Sequence, residues 1–278
     1  MSEAGELLPP PPPPPEPAGH DLLAGKVAVV TAAAGSGIGS ATARRLVLEG
    51  ASVVISDAHE RRLGEAAAEL ARLMETGTTA AEPVAETPLA VPCDVTDEIQ
   101  VQELFAAAAD RHGRIDVVVN NAGLGGTADL VDMTDDEWGR VVDVSLTGTF
   151  RCTRAALRIL CAQGSGVIVN NASVLGWRAQ AGQAHYAAAK AGVMALTRSA
   201  ALEAAPFGVR VNAVAPSLAM HPFLAKVTSD ELLDELAGRE AFGRAAEPWE
   251  VATVIAFLAS DYSSYMTGEV VSVSSQHP

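Results

Sequence analysis

Residues 31–40 read TAAAGSGIGS and bring three glycines into five positions. The stretch follows a short apolar run at 26–32, KVAVVTA, and leads into an alanine-rich segment that begins near residue 38. A glycine-rich turn between a strand and a helix lets the backbone approach a phosphate at the helix N-terminus, although many such turns are purely structural. We predict a site for the pyrophosphate of a dinucleotide. The predicted binding residues are Gly35, Ser36, Gly37, Ile38 and Gly39.

The rest of the chain alternates short apolar runs with alanine-rich helical segments. The runs are rich in Val and Ile and end at Gly, Asp, Asn or Pro, as strands that are buried on both faces do. They cover residues 26–32, 52–57, 89–95, 115–123, 166–173, 210–216 and 269–274. The helical segments cover residues 38–49, 59–74, 97–112, 135–162, 184–205 and 247–259. This alternation predicts an α/β fold, a doubly wound parallel sheet of about seven strands with helices on both faces.

The composition changes only near residue 20, which predicts one domain behind a tail. Residues 1–20 contain seven consecutive prolines, Pro9–Pro15, which favour an extended, solvated and disordered arm; a proline-recognising partner is the alternative. Residues 21–278 form the predicted domain. Within it, residues 217–245 break the alternation and are predicted to cover the substrate as a lid.

Charge and cysteine content exclude several classes of protein. The formal net charge of −15 repels phosphate backbones and anionic membrane surfaces, so we expect no nucleic-acid partner and no membrane association. No apolar run is long enough to span a bilayer. Three cysteines without C-x-x-C spacing and scattered histidines predict no disulfide framework and no metal site, and they suit a cytoplasmic location.

Asp57 ends the second predicted strand, eighteen residues after Gly39. A carboxylate at this place accepts both hydroxyls of an adenosine ribose and repels a 2′-phosphate, which favours NAD over NADP. His59, Arg61 and Arg62 follow closely and leave NADP as the alternative. Asp94 and the NNAG stretch at 120–123 end neighbouring strands at the same edge, where such residues also serve as plain helix caps.

Tyr186 and Lys190 stand four residues apart in HYAAAKAG at 185–192, on one face of a predicted helix. An ammonium near a phenol favours the phenolate and makes a tyrosine usable as a general acid or base near neutral pH. Ser173, thirteen residues before Tyr186 at a strand end, adds a hydrogen-bonding group for a substrate oxygen. The alternative is an ordinary helix with an exposed lysine.

Together these motifs closely resemble the single-domain short-chain dehydrogenases/reductases. The matching stretches are NNAG (120–123), NNASVLG (170–176), YAAAK (186–190), VRVNAVAP (209–216) and FLASDYSSYMTGE (257–269). The resemblance spans about residues 21–278. It implies a Rossmann-type sheet, a homotetramer, and hydride transfer between a nicotinamide cofactor and an alcohol/ketone pair.

Site roles follow from the resemblance by position. Tyr186 would be the acid/base, Ser173 would orient the carbonyl, and Lys190 would lower the tyrosine pKa and hold the nicotinamide ribose. Ser145, where the family usually has an asparagine, would hold a proton-relay water through its hydroxyl. The further cofactor contacts that the resemblance implies are Asp94, Val95, Asn121, Ala122, Gly123 and Pro216.

The chain departs from the family pattern in the glycine loop, which is one residue longer and has Ala33 at the first glycine. We predict that Gly35 supplies the positive-φ turn that an alanine resists. Ser217 and His221 replace a glycine and a threonine, and SSQHP replaces the usual ending.

These departures more narrowly resemble an actinobacterial branch that serves steroid ring C and D breakdown. That branch interconverts the 5-hydroxyl and 5-ketone of a methyl-indanone carboxyl-CoA thioester. A bulky pocket is predicted from Trp177, Leu218, Met220, Phe223, Leu224 and Phe242. The alternatives are a 3-oxoacyl-thioester reductase of fatty-acid type, with the same catalytic residues, and a non-catalytic nucleotide-binding protein.

Overall fold

Seven short strands rich in β-branched residues pair in parallel into one sheet. The computed structural model describes residues 10–75, 87–220 and 230–275. Its strands are β1 Val27–Val30, β2 Ser52–Asp57, β3 Leu89–Pro92, β4 Val117–Asn120, β5 Gly166–Asn171, β6 Val209–Pro216 and β7 Val270–Val273. Their order is β3-β2-β1-β4-β5-β6-β7, and every pairing is parallel. The predicted doubly wound Rossmann-type sheet is confirmed.

The strand order reverses between β1 and β4. In an open parallel sheet a ligand binds beyond the carboxyl ends of the strands at such a reversal, because the two crossover connections leave opposite faces there. The glycine-rich stretch follows β1 and the NNAG stretch follows β4. The topology therefore brings these two sequence signals to the same crevice.

Helices cover both faces of the sheet and bury its apolar side chains. They are α1 Ile38–Leu48, α2 Glu60–Glu75, α3 Glu98–His112, α4 Asp135–Val142, α5 Gly148–Gln163, α6 Ala184–Ala204, α7 Asp230–Gly238 and α8 Pro248–Ala259. One core cluster joins α1, α2 and α8 to the sheet, and a second joins α3, α5 and α6 to its other face. None of the described helices is both long enough and apolar enough to cross a membrane.

The segment predicted as a single helix over 135–162 is interrupted. α4 begins with a capping box between Thr134 and Glu137, and a π-helical turn at Asp143–Thr147 separates it from α5. Such single-turn widenings occur mostly at functional sites, since they turn a side chain away from the helical register. Ser145 lies in this turn.

Contacts of the domain begin before residue 20. Glu16 forms an ion pair with Arg44, and the carbonyl oxygens of Pro17 and Ala18 accept from the guanidinium of Arg45. Arg45 is 2 % exposed and also pairs with Glu49, which is 0 % exposed. These contacts connect Glu16, Pro17 and Ala18 of the predicted tail to α1. The division of the chain at residue 20 stays a prediction.

Some predicted features lie outside the described residues. These are Pro9, most of the loop at 76–88, and His221, Phe223 and Leu224 of the predicted lid. The described part of that lid contains α7 and an isolated bridge between Ala219 and Ala246.

Candidate active site

Ser173, Tyr186 and Lys190 come together at the carboxyl end of β5 and the first turns of α6. Ser173 follows β5, and its hydroxyl hydrogen-bonds with the phenol of Tyr186. The Nζ atom of Lys190 lies 5.5 Å from the centroid of the Tyr186 ring. The structure thus assembles the predicted trio from two elements, with the phenol between the hydroxyl and the amine.

Lys190 is 2 % exposed, and its Nζ donates to the main-chain oxygen of Asn171 at 2.6 Å. Among the described residues no carboxylate lies within ion-pair distance of this amine. Burial consequently lowers the pKa of Lys190 to about 8, because nothing nearby compensates the lost hydration of the charged form.

The phenol of Tyr186 behaves differently from the sequence-based expectation. Burial raises its pKa, and the hydrogen bond with Ser173 lowers it by less. The net shift is upward, opposite to the lowering expected from Lys190, since desolvation disfavours the phenolate.

Ser145 reaches back from the π-helical turn to the loop after β4. The backbone N–H of Leu124 donates to Ser145 Oγ at 2.9 Å, and that hydroxyl donates to the carbonyl oxygen of Leu124 at 3.0 Å. The single hydroxyl proton is therefore engaged within the protein. A relay water would therefore have to bind through the second lone pair of Oγ. The relay role implied for Ser145 stays a prediction.

The glycine loop opens directly onto the N-terminus of α1. Gly37 is the N-cap, and no side chain caps the first turn. A Cβ atom on Gly39 would lie 2.2 Å from the carbonyl oxygen of Ala32 and 2.4 Å from Asn121 Nδ2, so only glycine fits there. The exposed amide groups and the dipole of this helix end suit an anion.

The longer loop uses two residues with positive φ. Gly35 has φ 93°, as predicted. Ala32 has φ 50°, which the sequence did not suggest, and for an alanine this conformation costs about 1–2 kcal/mol. Ala33 is buried, and its N–H donates to the carbonyl oxygen of Ser56 on β2. The loop is therefore re-spaced rather than broken.

Asp57 lies at the end of β2 beside this loop. Its Oδ2 accepts from the N–H of Ala34 at 3.3 Å and its Oδ1 from the N–H of His59 at 2.9 Å. Arg62 approaches the same carboxylate at 3.8 Å, which places one of the three nearby basic residues at the predicted ribose position.

Asp94 and Val95 are engaged locally. Asp94 Oδ1 accepts from both the N–H and the hydroxyl of Thr96, so one of its oxygens closes the turn before α3. Val95 is buried against Gly148 at the start of α5. Neither arrangement tests the predicted adenine contact. The second carboxylate oxygen of Asp94 and the backbone of Val95 are left to form it.

The NNAG stretch joins the nucleotide end to the chemical end. The N–H groups of Asn121 and Ala122 donate to the hydroxyl of Thr31, which fixes this stretch against β1. A Cβ atom on Gly123 would lie 3.3 Å from Lys190 Nζ. Pro216 ends β6 and is buried at the same edge of the sheet.

Comparisons with known proteins agree with the family resemblance seen in the sequence. The family model described as enoyl-(acyl carrier protein) reductase matches residues 32–275. A reductase of Mycobacterium tuberculosis, named (5R,7aS)-5-hydroxy-7a-methyl-1-oxo-2,3,5,6,7,7a-hexahydro-1H-indene-carboxyl-CoA reductase, is 68 % identical over 95 % of this chain and 97 % of its own. The chain belongs to the short-chain dehydrogenase/reductase family. It is therefore an oxidoreductase of a family that uses NAD or NADP.

Two further relatives cover nearly the whole chain. Cis-4-hydroxycyclohexanecarboxylate dehydrogenase of Sinomonas cyclohexanicum is 46 % identical over 91 % of this chain and 96 % of its own. A crystal structure of a short chain dehydrogenase from Mycobacterium smegmatis is 59 % identical with a TM-score of 0.82, and covers 95 % of this chain and 98 % of that one.

Two polar residues of this short-chain dehydrogenase/reductase were missed from the sequence. His185 is buried, and its Nδ1 accepts from the N–H of Tyr186 at 2.9 Å. This N–H lies in the first turn of α6, where the helix itself supplies no acceptor. Asn171 bonds to Asn121 across the sheet. The repeated NNA in NNAG and NNAS was the available signal for Asn171, because it marks two parallel strands that end in register.

The described residues fit the dinucleotide that the family uses. The uncapped N-terminus of α1, the glycine cradle under Ala32 and the carboxylate of Asp57 lie together at the strand-order reversal. Within residues 10–75, 87–220 and 230–275 there is no group of three His, Cys, Asp or Glu side chains that would hold a metal ion.

Proposed function

We propose that this enzyme interconverts a secondary alcohol and a ketone on an alicyclic CoA thioester, with NAD(H) as the cofactor. The observation that carries the proposal is the trio at the end of β5, in which a buried amine with no carboxylate partner among the described residues lies under the ring of Tyr186. The substrate class follows from the indene-carboxyl-CoA named for the Mycobacterium tuberculosis relative, and the ring-hydroxyl chemistry from both curated relatives.

In the reduction direction Tyr186 donates a proton to the carbonyl oxygen, and in the oxidation direction its phenolate receives one from the hydroxyl. When bound, the nicotinamide ring supplies or accepts the hydride. Ser173 holds the same substrate oxygen through its hydroxyl, and Lys190 stabilises the phenolate once the proton has left.

The preference for NAD over NADP rests on Asp57. Its position at the end of β2 beside the glycine loop supports contact with both ribose hydroxyls and repulsion of a 2′-phosphate. Arg62 at 3.8 Å supports the alternative, a 3-oxoacyl-thioester reductase that uses NADPH, since a guanidinium at this place would offset that repulsion. A non-catalytic nucleotide-binding role has no use for the assembled trio.

The pocket for a bulky ring system is proposed at Trp177 and Phe242, whose side chains are exposed. Residues 217–245 would cover it as a lid. The division into a tail and one domain, the homotetramer and the cytoplasmic location stay proposals. Exposed apolar side chains on α5, α6 and α8 support assembly, namely Phe150, Leu202 and Phe257.

The test is an absorbance assay of NADH and NADPH with three ketones, which are the methyl-indanone carboxyl-CoA, its free acid and a 3-oxoacyl-CoA. Tyr186→Phe should lower kcat by about 10²–10⁴-fold with the first of these, since the proton donor is removed. Tyr265→Phe is the matched control, because that tyrosine is fully exposed, and it should keep full activity.

Asp57→Asn in the same assay should lower the preference for NADH over NADPH by about tenfold or more, which corresponds to one charge–phosphate contact of about 1.4 kcal/mol. Full turnover by Tyr186→Phe would refute the catalytic assignment. A wild-type enzyme that prefers NADPH and the 3-oxoacyl substrate would establish the alternative.

A further inference from the structure

Two asparagines in succession stand at the ends of β4 and β5, Asn120 at the end of β4 with Asn121 just after it, and Asn170 with Asn171 within β5. The strands pair in register, so that Asn120 stands opposite Asn170. The following residues also meet. Asn171 Nδ2 donates to Asn121 Oδ1 at 2.8 Å, and Asn121 Nδ2 donates to the carbonyl oxygen of Ala32 at 3.1 Å. An uninterrupted pair of side-chain bonds therefore runs from β5 to the glycine loop.

Asn171 also contacts the catalytic lysine. Its main-chain oxygen accepts from Lys190 Nζ at 2.6 Å, and both groups are buried. The residue thus holds the amine through its backbone and the glycine loop through its side chain.

At the glycine loop, this chain of hydrogen bonds ends at Ala32, whose backbone conformation needs stabilisation. Ala32 has a positive φ, and Gly39 leaves room for its carbonyl oxygen by lacking a Cβ. The Asn121 amide holds that oxygen only in one of its two rotated orientations, with Nδ2 toward Ala32. The bond from Asn171 to Asn121 Oδ1 selects this orientation, because the reversed amide would present a donor to a donor.

Asn171 has one polar atom to spare. Its Oδ1 is buried and accepts no hydrogen bond from the residues that the structure describes. Buried amide oxygens normally have a donor partner, so this atom offers an acceptor at the junction of the cofactor loop and the lysine.

We propose that Asn171 is a positioning residue that couples the conformation of the re-spaced glycine loop to the placement of the Lys190 amine. The proposal rests on the proposed function for its catalytic consequence. It predicts that loss of the Asn171 amide weakens dinucleotide binding at one end of the site and alters the proton chemistry at the other.

The test compares Asn171→Leu with Asn170→Leu. Leucine matches asparagine in size, and it removes the amide while leaving the backbone carbonyl that binds Lys190. Asn170 is the matched control, since it precedes Asn171 on β5 and is also buried. Its amide bonds to Asn120 on β4 and to Thr197 on α6, but not to the loop or the lysine. Both variants should lose stability in thermal unfolding.

Only Asn171→Leu should raise the Kd for NADH, by about tenfold, in fluorescence titrations without substrate, and only it should shift the midpoint of the kcat–pH profile. Equal increases of Kd in both variants, or none in Asn171→Leu, would overturn the proposal.

A second variant, Asn171→Asp, keeps one side-chain oxygen and replaces the Nδ2 donor by a second oxygen, so that a carboxylate is carried by the residue whose main-chain oxygen binds the amine. This variant should raise the pKa of Lys190. The pKa is measured by NMR of the isotopically methylated amine in the absence of cofactor, and an unchanged value would overturn the proposal. A wild-type protein that binds neither NADH nor NADPH would refute the proposed function instead, and this pKa measurement would still decide the role of Asn171.

Discussion

Two basic side chains are buried to the same degree in this protein, but they have different roles. Arg45 and Lys190 are each 2 % exposed. Arg45 pairs with Glu49 and with two backbone carbonyls of the N-terminal segment, whereas Lys190 donates to one carbonyl and has no carboxylate partner among the described residues. A buried cation that is paired with a carboxylate fixes structure. An incompletely paired one keeps an altered pKa, and the protein can use it for chemistry.

The difference follows from where each cation lies. Arg45 and Glu49 are one turn apart at the C-terminal end of α1, and the carboxylate also accepts the N–H groups of His20 and Leu22. These bonds, together with Arg45, hold the pKa of Glu49 below its ordinary value even though burial opposes them. Lys190 lies at the carboxyl edge of the sheet, where the geometry leaves its amine facing the tyrosine ring.

The largest effect should come from breaking the paired site. Arg45→Met should lower the free energy of unfolding by about 3–5 kcal/mol, because Glu49 is left as a buried carboxylate without its cation. Chemical denaturation measures this loss. Arg61→Met is the control, since its ion pair with Glu65 is exposed, and it should cost less than about 1 kcal/mol. Comparable losses in the two variants would show that burial adds nothing to the contribution of the Arg45–Glu49 pair.

Removal of the Lys190 amine, which has no carboxylate partner among the described residues, should instead raise the free energy of unfolding. Lys190→Met should raise the free energy of unfolding at pH 7 by about 1–3 kcal/mol, since a desolvated ammonium is replaced by an apolar side chain of similar length. Its kcat should fall by at least the factor of about 10² that is typical of lost acid–base support. The same denaturation series measures the stability, and a loss like that of Arg45→Met would contradict the assignment.

The smallest effect is the pH dependence of stability. The folded-state pKa of Lys190 is about 8 and lies below the ordinary 10.5, so between these values the unfolded chain binds more protons than the folded one. Stability from this group is therefore absent below pH 8 and grows as the pH rises toward 10.5. From pH 7 to pH 9 the wild type should gain about 1 kcal/mol relative to Lys190→Met, measured as the difference between their denaturation midpoints. A flat difference would contradict the lowered pKa.

The sequence predicted the sheet and the grouping of Ser173, Tyr186 and Lys190 because both depend on local patterns. Valine-rich runs between turn residues can only be buried strands in a chain of this composition, and Tyr186 and Lys190 share a helix face by their spacing alone. The positive φ of Gly35 was predictable for the same reason, since glycine is the residue that adopts it at little cost.

The features that escaped prediction depend on partners distant in the chain. Ala32 adopts a positive φ because Asn121, about ninety residues later, holds its carbonyl oxygen. The π-helical turn at Ser145 is fixed by bonds to Leu124, and Glu16 is held by its ion pair with Arg44 on α1. No periodicity of residue types records such contacts, because each involves one pair of atoms brought together by the completed fold.

The chain of bonds from Ala32 through Asn121 to Asn171 has a consequence for folding. Its members lie in the loop after β1, in the loop after β4 and at the end of β5, and its links close loops of 89 and 50 residues. Closing loops of this length carries an entropy cost that the paired strands offset, so we expect the junction to form after the centre of the sheet. Partly folded chains then have no complete dinucleotide site. The cofactor selects and stabilises the finished fold alone, and its cellular concentration sets part of the protein's stability.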